Sequence, residues 1–328
     1  MEFSLSERLL HNLITKNKLL GKFFFEFEKI LFLKKTKEYK NNRHIFISGL
    51  PRSGSSIFTI FLHSTGKFGS LTYADSPFLL APNFFSKFKK KNKIKNFQRI
   101  HDDGIEININ TPEALDNLFF LTYKSEFYLN IVDYINLILF KTSKSRYLSK
   151  NNNILSEFEL LFDLFPNMIL VVPFRNPIQQ SFSLLKQHQN MKSKQIKNKF
   201  VLDYMNSIGH NEFGLGYKFR NPPDRFSDPE NINHWIEQWY FYYKSTIDKF
   251  RDKKNVYFLN YELICEDTNY FKKFCKVLEI DFINSENRFI NKNSHKIKDI
   301  KDINDKVHTS SIQLYNDLIE ISKRNLNF

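Results

Sequence analysis

HIFISGLPRSGSSIFTIFLH (His44–His63) is the stretch on which the reading of the whole chain turns. Its first five residues, HIFIS, form a short apolar run of strand type; GLPRSGSS (Gly49–Ser56) is a glycine-containing loop; and the residues from Ser55 or Ser56 to about His63 have helical spacing. A strand running through a glycine loop into a helix opens an α/β domain. The loop also carries chemistry. Backbone N–H groups at the start of a helix point outward at the positive end of its dipole, which favours an anion. Gly49 and Gly54 let the backbone turn and approach that anion closely, while Ser53, Ser55 and Ser56 add hydroxyl donors and Arg52 adds a fixed positive charge. A plain turn with a serine cap explains one of the serines but neither the other two nor the arginine.

The loop differs from the G-x-x-x-x-G-K-[ST] phosphate loop of nucleoside triphosphatases. Gly49 and Gly54 have the right separation, but Ser55 stands where the lysine belongs. That lysine reaches the β- and γ-phosphates, so its loss argues against γ-phosphate chemistry. The carboxylate that would help hold magnesium at the end of a second strand is also missing, because ILVVPF runs into Arg175.

Outward from this unit, short apolar runs recur at SLTY (Ser70–Tyr73), RYLS (Arg146–Ser149), MILVVPF (Met168–Phe174) and NVYFLN (Asn255–Asn260). The third is the continuous run a central parallel strand requires. Between and after them the spacing predicts helices over Pro112–Leu121, Glu126–Phe140, Ile154–Phe165, Pro177–Met191, Trp235–Phe250, Tyr270–Leu278 and Ser310–Lys323. Strands alternating with helices imply a three-layer α/β domain of P-loop type, with a mainly parallel central sheet of about five strands and helices on both faces. Ahead of it, residues 3–37 read as helical, with Leu9, Leu10, Leu13 and Ile14 followed by the dense apolar stretch Phe23–Leu33. The expected organisation is a helical extension over 1–41 and one nucleotide-binding domain over 42–328. HWIEQWYFYYK (His234–Lys244) has helical spacing and reads as core rather than as a sugar-stacking surface. Two stretches read as irregular. KFKKKNKIK (Lys87–Lys95), with six lysines, suits a solvated loop or the docking of an acidic acceptor. Ile208–Asn231, with three glycines and three prolines, suits a substrate lid or a surface excursion.

A second anion motif lies in PFRNPIQQSFS (Pro173–Ser183). Arg175 falls at the carboxyl end of the central strand, where ligands of open α/β sheets bind. Pro177 suits the first turn of the following helix, and Ser183 lies nearly two turns into it.

Together GLPRSGSS and RNPIQQSFS resemble the two nucleotide motifs of sulfotransferases that use 3′-phosphoadenosine 5′-phosphosulfate (PAPS). The first is similar to their Pro-Arg/Lys-Ser-Gly-Thr/Ser-Thr/Ser core. The second is similar to their Arg-Asn/Asp-Pro followed by a serine eight residues after the arginine. The resemblance spans most of Asn42–Ile280 and is greatest to bacterial enzymes related to the tyrosylprotein and carbohydrate sulfotransferases. It implies PAPS as co-substrate and PAP as product. Gly49, Pro51, Arg52, Ser53, Gly54, Ser55 and Ser56 would then hold the 5′-phosphosulfate, and Arg175 and Ser183 the 3′-phosphate. No metal is implied, because arginine, lysine, serine and backbone N–H groups meet the nucleotide's charge.

Sulfuryl transfer puts negative charge on the bridging oxygen of the leaving nucleotide, so a cation aimed there lowers the barrier. Arg52 is one candidate. Lys150, at the tip of RYLSK, is the other, because related enzymes place a lysine at the corresponding strand end. The acceptor hydroxyl needs a general base. Asp75, in LTYADSPF, matches the place of a glutamate in the tyrosylprotein branch, although a helix cap explains it equally. His101, in RIHDDGIE beside Asp102 and Asp103, is the alternative.

With 49 Lys and Arg against 35 Asp and Glu the chain carries a formal charge of +14, which invites a nucleic-acid reading. The lysines are spread along the chain, however, and 36 Phe against nine Gly and four Met suggest a coding bias toward Lys, Asn, Ile and Phe. Cys265 and Cys275 make no disulfide framework or zinc pattern, and the nine histidines form no ligand pair. No apolar run reaches the length of a membrane span, and MEFSLSERLLHNLITKNK lacks a secretory h-region. The expectation is a cytoplasmic sulfotransferase acting on a hydroxyl-bearing small molecule or glycan, without nucleic acid or membrane span, and with a homodimer left open. The competing readings are a small-molecule kinase with a degenerate P-loop, a basic nucleic-acid-binding protein and a relative that binds the nucleotide without the chemistry.

Overall fold

Ile169–Phe174 forms the longest strand among the described residues and is buried at every position, as its unbroken apolar sequence demands. The computed structural model describes residues 5–88, 95–99, 104–220, 224–282, 289 and 303–326. Its strands are β1 (Ile45–Ile47), β2 (Phe97–Gln98), β3 (Glu106–Ile107), β4 (Leu148–Lys150), β5 (Ile169–Phe174) and β6 (Val256–Asn260). The main sheet is mainly parallel, with four strands in the order β4-β1-β5-β6, and β2 and β3 form a separate antiparallel pair. The fifth strand expected at Ser70–Tyr73 is reduced to isolated bridges, Gly69 with Tyr147 and Thr72 with Pro112. At Thr72 the chain turns instead into a 3-10 turn, Tyr73–Asp75, closed by a capping box between Thr72 and Asp75.

The chain folds into two compact units, with β1 contributing to both. The first contains residues 1–46, 58–168 and 197–211. Its helices are α1 (Leu5–Lys16), α2 (Lys18–Phe32), α4 (Pro82–Ser86), α5 (Asn117–Tyr123), α6 (Ile131–Thr142), α7 (Phe158–Leu164) and α9 (Lys199–Ser207), together with most of α3 (Ser55–Ser64). The single helix expected over 3–37 is broken because Asn17 leaves helical geometry and its side chain accepts from Leu20 N at 3.0 Å, which caps α2. The core is aromatic: Phe119 stacks on Tyr134 at 4.2 Å between ring centroids, and Phe25 of α2 meets both Phe119 and Tyr123 edge-on. Glu28, mid-helix and buried, accepts from Asn83 N and Phe84 N and so closes the start of α4; burial raises its carboxyl pKa. Helix α5 begins later than the periodicity predicts. Pro112 is held in its bridge to Thr72, and the Asp116 carboxylate is bound to Tyr147, Ser149 and Asn151 instead of capping.

The second unit contains residues 47–57, 169–196 and the described part of 212–328. It carries α8 (Pro177–Lys197), α10 (Ile232–Phe250), α11 (Tyr261–Glu266), α12 (Thr268–Val277) and α13 (Asp305–Arg324). β5 and β6 pair in parallel, Leu170 with Val256 through Phe174 with Asn260. HWIEQWYFYYK is core: Trp235, Ile236, Trp239, Tyr242 and Tyr243 are buried, and Tyr243 OH donates to Pro173 O at 2.8 Å. The described part of the 212–231 loop is fastened from α10. The Glu237 carboxylate accepts from the N–H groups of Asp224, Arg225 and Phe226, and Trp235 Nε1 donates to Pro229 O. Among the described residues no helix is long and apolar enough to cross a membrane.

Candidate functional site

In the second unit the loop Gly49–Ser56 leaves β1 beside the end of β5, and Ser48 N donates to Val171 O at 3.0 Å. Only glycine fits at position 49, where a Cβ would come within 2.8 Å of the Pro173 carbonyl oxygen. Gly54 has φ +89°, and a Cβ there would lie 2.3 Å from the Tyr261 ring. Arg52 also adopts a left-handed backbone, φ 69°, which costs a non-glycine residue about 1 kcal/mol or more. The surroundings fix this conformation. Arg52 Nε donates to Ser183 Oγ at 2.9 Å, and Arg175 Nη1 donates to the Arg52 carbonyl at 3.3 Å. Buried Gln180 ties the loop down further, its Nε2 donating to Leu50 O at 3.2 Å and Pro51 O at 2.9 Å. Its Oε1 accepts from Arg175 N at 3.3 Å and from Trp239 Nε1 at 3.0 Å.

Arg175 is buried and braced from several sides. Its guanidinium lies 5.0 Å over the Tyr261 ring, and its Nε is 3.7 Å from Glu262 Oε1. Glu262 also accepts from Asn176 N at 3.2 Å and from Tyr315 OH at 3.3 Å, and burial raises its carboxyl pKa. Asn176 caps α8, its Oδ1 accepting from Ile178 N at 3.0 Å and Gln179 N at 3.2 Å, and Pro177 takes the first helical position. The Arg175 guanidinium thus faces the Glu262 carboxylate, and the Arg52 guanidinium lies on Ser183. Both arginines lie beside the start of α3, whose outward N–H groups suit an anion. Ser53 adds a buried Oγ that has no protein partner.

In the first unit Lys150 ends β4 and its Nζ pairs with Glu113 Oε1 at 2.7 Å; Arg99 Nη1 pairs with Glu113 Oε2, also at 2.7 Å. All three side chains are nearly buried. Beside it in sequence, Asp116 is buried and accepts from Tyr147 OH, Ser149 Oγ and Asn151 Nδ2; desolvation outweighs these bonds and pushes its pKa up to about 6. Asp75 is buried too. Its Oδ2 accepts from Thr72 N at 2.9 Å to close the capping box, and its Oδ1 pairs with Lys141 Nζ at 2.9 Å. His101 lies outside the described residues.

A family model described as the sulfotransferase family matches residues 44–212, which is more than half of the chain. The chain belongs to the sulfotransferase family. No curated protein sequence matches it. Among solved structures it is similar to the sulfotransferase STF1 from Mycobacterium tuberculosis, at 11% identity over 94% of this chain and 82% of that one, with a TM-score of 0.45. It is also similar to STF9 from Mycobacterium avium, at 11% identity over 97% and 78% with a TM-score of 0.49. A third, a sulfotransferase from Alicyclobacillus acidocaldarius, matches at 11% identity over 87% and 96% with a TM-score of 0.38.

Of the residues singled out in the sequence, this sulfotransferase brings Arg52, Arg175 and Ser183 into direct contact, with Gly49, Pro51, Ser53, Gly54, Ser55 and Ser56 on the same loop. Lys150 and Asp75 are drawn into different ion pairs, with Glu113 and Lys141. Gln180, Tyr261, Glu262 and Glu113 were not anticipated. Gln180 lies within the RNPIQQSFS motif and Glu113 within a predicted helix, but nothing local marks either one. Their role comes from partners 129 residues away at Pro51 and 37 away at Lys150.

Proposed function

We propose that this sulfotransferase moves a sulfuryl group from PAPS to a hydroxyl of a carbohydrate or other small acceptor. The observation that carries this reading is the Arg52–Ser183 hydrogen bond, with Arg175 on the Arg52 carbonyl: two anion motifs 131 residues apart meet in one cluster. A nucleotide with phosphates on both sides of its ribose suits such a pair. The unpartnered buried Oγ of Ser53 and the enforced glycines at 49 and 54 fit a phosphate held by backbone and hydroxyl donors.

On this reading Arg52, Ser53, Gly54, Ser55 and Ser56, supported by Gly49 and Pro51, hold the 5′-phosphosulfate, and Arg175 and Ser183 hold the 3′-phosphate. PAPS, when bound, supplies the activated sulfuryl group. For the bridging oxygen, where negative charge develops, the candidates are Arg52 or Lys150; for Lys150 the warrant is its place at a strand end in the order of motifs. Asp75 and His101 remain proposed bases on their places in the sequence. Asp75 is held by its cap and by Lys141, so its use as a base requires that the Lys141 pair open. We also propose a cytoplasmic location and a glycan or small-molecule acceptor.

The test is transfer of label from sulfur-labelled PAPS across a panel of hydroxyl acceptors. Acceptor-dependent labelling, lost in Lys150→Ala and Arg52→Ala, is expected. Magnesium-dependent transfer from ATP, with none from PAPS, would replace this reading with the kinase one.

A further inference from the structure

Helix α2 turns an apolar face outward. At 100° per residue Gly21, Phe25, Glu28 and Phe32 share the side buried in the first unit, and Leu19, Phe23 and Ile30 share the opposite side. These three are 81%, 63% and 78% exposed, whereas the solvent face of an ordinary surface helix is polar. The apolar surface continues beyond the helix as a ladder of rings. Phe23 stacks on Phe27 at 6.5 Å, Phe27 meets Phe84 edge-on at 5.0 Å, and Phe84 meets Phe88 at 5.2 Å. Phe88, at the far end, is also exposed.

A rim of cations borders this face. Exposed Lys16 and Lys18 stand at the start of α2, and exposed Lys34 and Lys37 follow its end. Lys35 and Lys87 turn away from the rim, their ammonium groups lying over the Phe32 ring on the buried side of the helix at 5.6 Å and 5.0 Å. Glu26 lies on the same face, between Phe23 and Ile30, and is paired with Lys29 at 2.8 Å; Glu126 is paired with Lys22 at 3.2 Å. Glu38 alone follows among the lysines at the end of the helix.

We infer that this face of α2 rests on an anionic membrane surface, with Leu19, Phe23, Ile30 and Phe88 in the acyl boundary and the lysine rim at the phosphates. Apolar side chains flanked by long cationic ones are what the interface of a bilayer accepts, and each lysine near an anionic surface adds attraction that salt weakens. A second copy of the chain is a poorer occupant, because it would set one lysine rim against another. The attachment is peripheral, in keeping with the absence of a spanning helix among the described residues.

The experiment is co-sedimentation of the full chain with vesicles of phosphatidylcholine alone and of equal parts phosphatidylcholine and phosphatidylglycerol. Pelleting with the anionic vesicles, weakened by salt, is expected. Phe23→Ser with Ile30→Ser should lower partitioning about 100-fold, and Lys34→Gln with Lys37→Gln about 25-fold. All four sites are exposed, so thermal melting and PAP binding should stay at wild-type values in both variants and register any loss of fold. Failure of the wild type to pellet, equal pelleting with neutral vesicles, or a dimer in sedimentation velocity that Phe23→Ser with Ile30→Ser abolishes would each overturn the inference.

Discussion

Gln180→Leu separates the architecture of the phosphate loop from its charge. The side chain is fully buried and makes four hydrogen bonds: to Leu50 O at 3.2 Å, to Pro51 O at 2.9 Å, from Arg175 N at 3.3 Å and from Trp239 Nε1 at 3.0 Å. Leucine fills a similar volume but leaves Arg175 N and Trp239 Nε1 as buried donors without this acceptor. A buried donor left unsatisfied costs about 1–3 kcal/mol, so the two together predict a loss of about 3 kcal/mol. That is a large share of the roughly 5–15 kcal/mol that holds a typical domain together. The loop loses its anchors at Leu50 and Pro51 at the same time, so PAP affinity should fall at least tenfold although no charge has changed. Urea unfolding gives the first quantity and calorimetry with PAP the second. A variant within 0.5 kcal/mol of wild type that binds PAP normally would show that Gln180 does not hold the loop, and the account of how its carbonyls are fixed would fail.

Other outcomes follow from the same geometry. Arg52→Gly and Arg52→Ala both remove the guanidinium and its bond to Ser183, but only glycine relieves the left-handed backbone at φ 69°, so the glycine variant should melt no lower than the alanine one while PAP binding falls at least tenfold in both; an alanine variant that melts clearly higher would contradict the strain. Burial pushes the Asp116 carboxyl up to about 6 in the folded state, from an ordinary 3.8. The folded state therefore holds this proton to higher pH than the unfolded one, and its contribution to stability falls as pH rises through that window, by about 3 kcal/mol in all. Asp116→Asn should remove this slope, so urea unfolding at pH 4 and pH 7 should show the variant gaining on wild type at the higher pH; parallel behaviour would refute the shift. Glu113→Gln leaves the nearly buried cations Lys150 and Arg99 without their shared carboxylate and should destabilise the fold by about 3 kcal/mol in urea unfolding; no change would mean that the triad is not held by charge.

The parts legible in the sequence are those whose physics is local. The unbroken apolar run of β5, the strand–loop–helix at His44–His63 and the Arg-Asn-Pro start of α8 each declare themselves within a few residues. In the last of these the structure divides the work: Asn176 caps the helix, Pro177 begins it and Arg175 is left for charge. Ser70–Tyr73 misled because an apolar alternation does not reveal that Thr72 and Asp75 close a capping box there and turn the chain away from the sheet. Asn17 interrupts a pattern that periodicity reads as one helix, since a single capping side chain outweighs the hydrophobic repeat around it. Gln180, Tyr261, Glu262 and Glu113 were illegible for another reason. A buried glutamine or glutamate takes its meaning from partners that only folding supplies, in these cases the carbonyls of Leu50 and Pro51, the Arg175 guanidinium and the Lys150 ammonium.

The central claim is that Arg52, Ser183 and Arg175 form one nucleotide site whose second anchor is the arginine at the end of β5. Calorimetry with PAP on wild type and on Arg175→Ala tests it most directly. Saturable one-to-one binding by the wild type, weakened at least 100-fold in the variant, is the predicted result. No PAP binding by the wild type, or equal binding by both proteins, would contradict it.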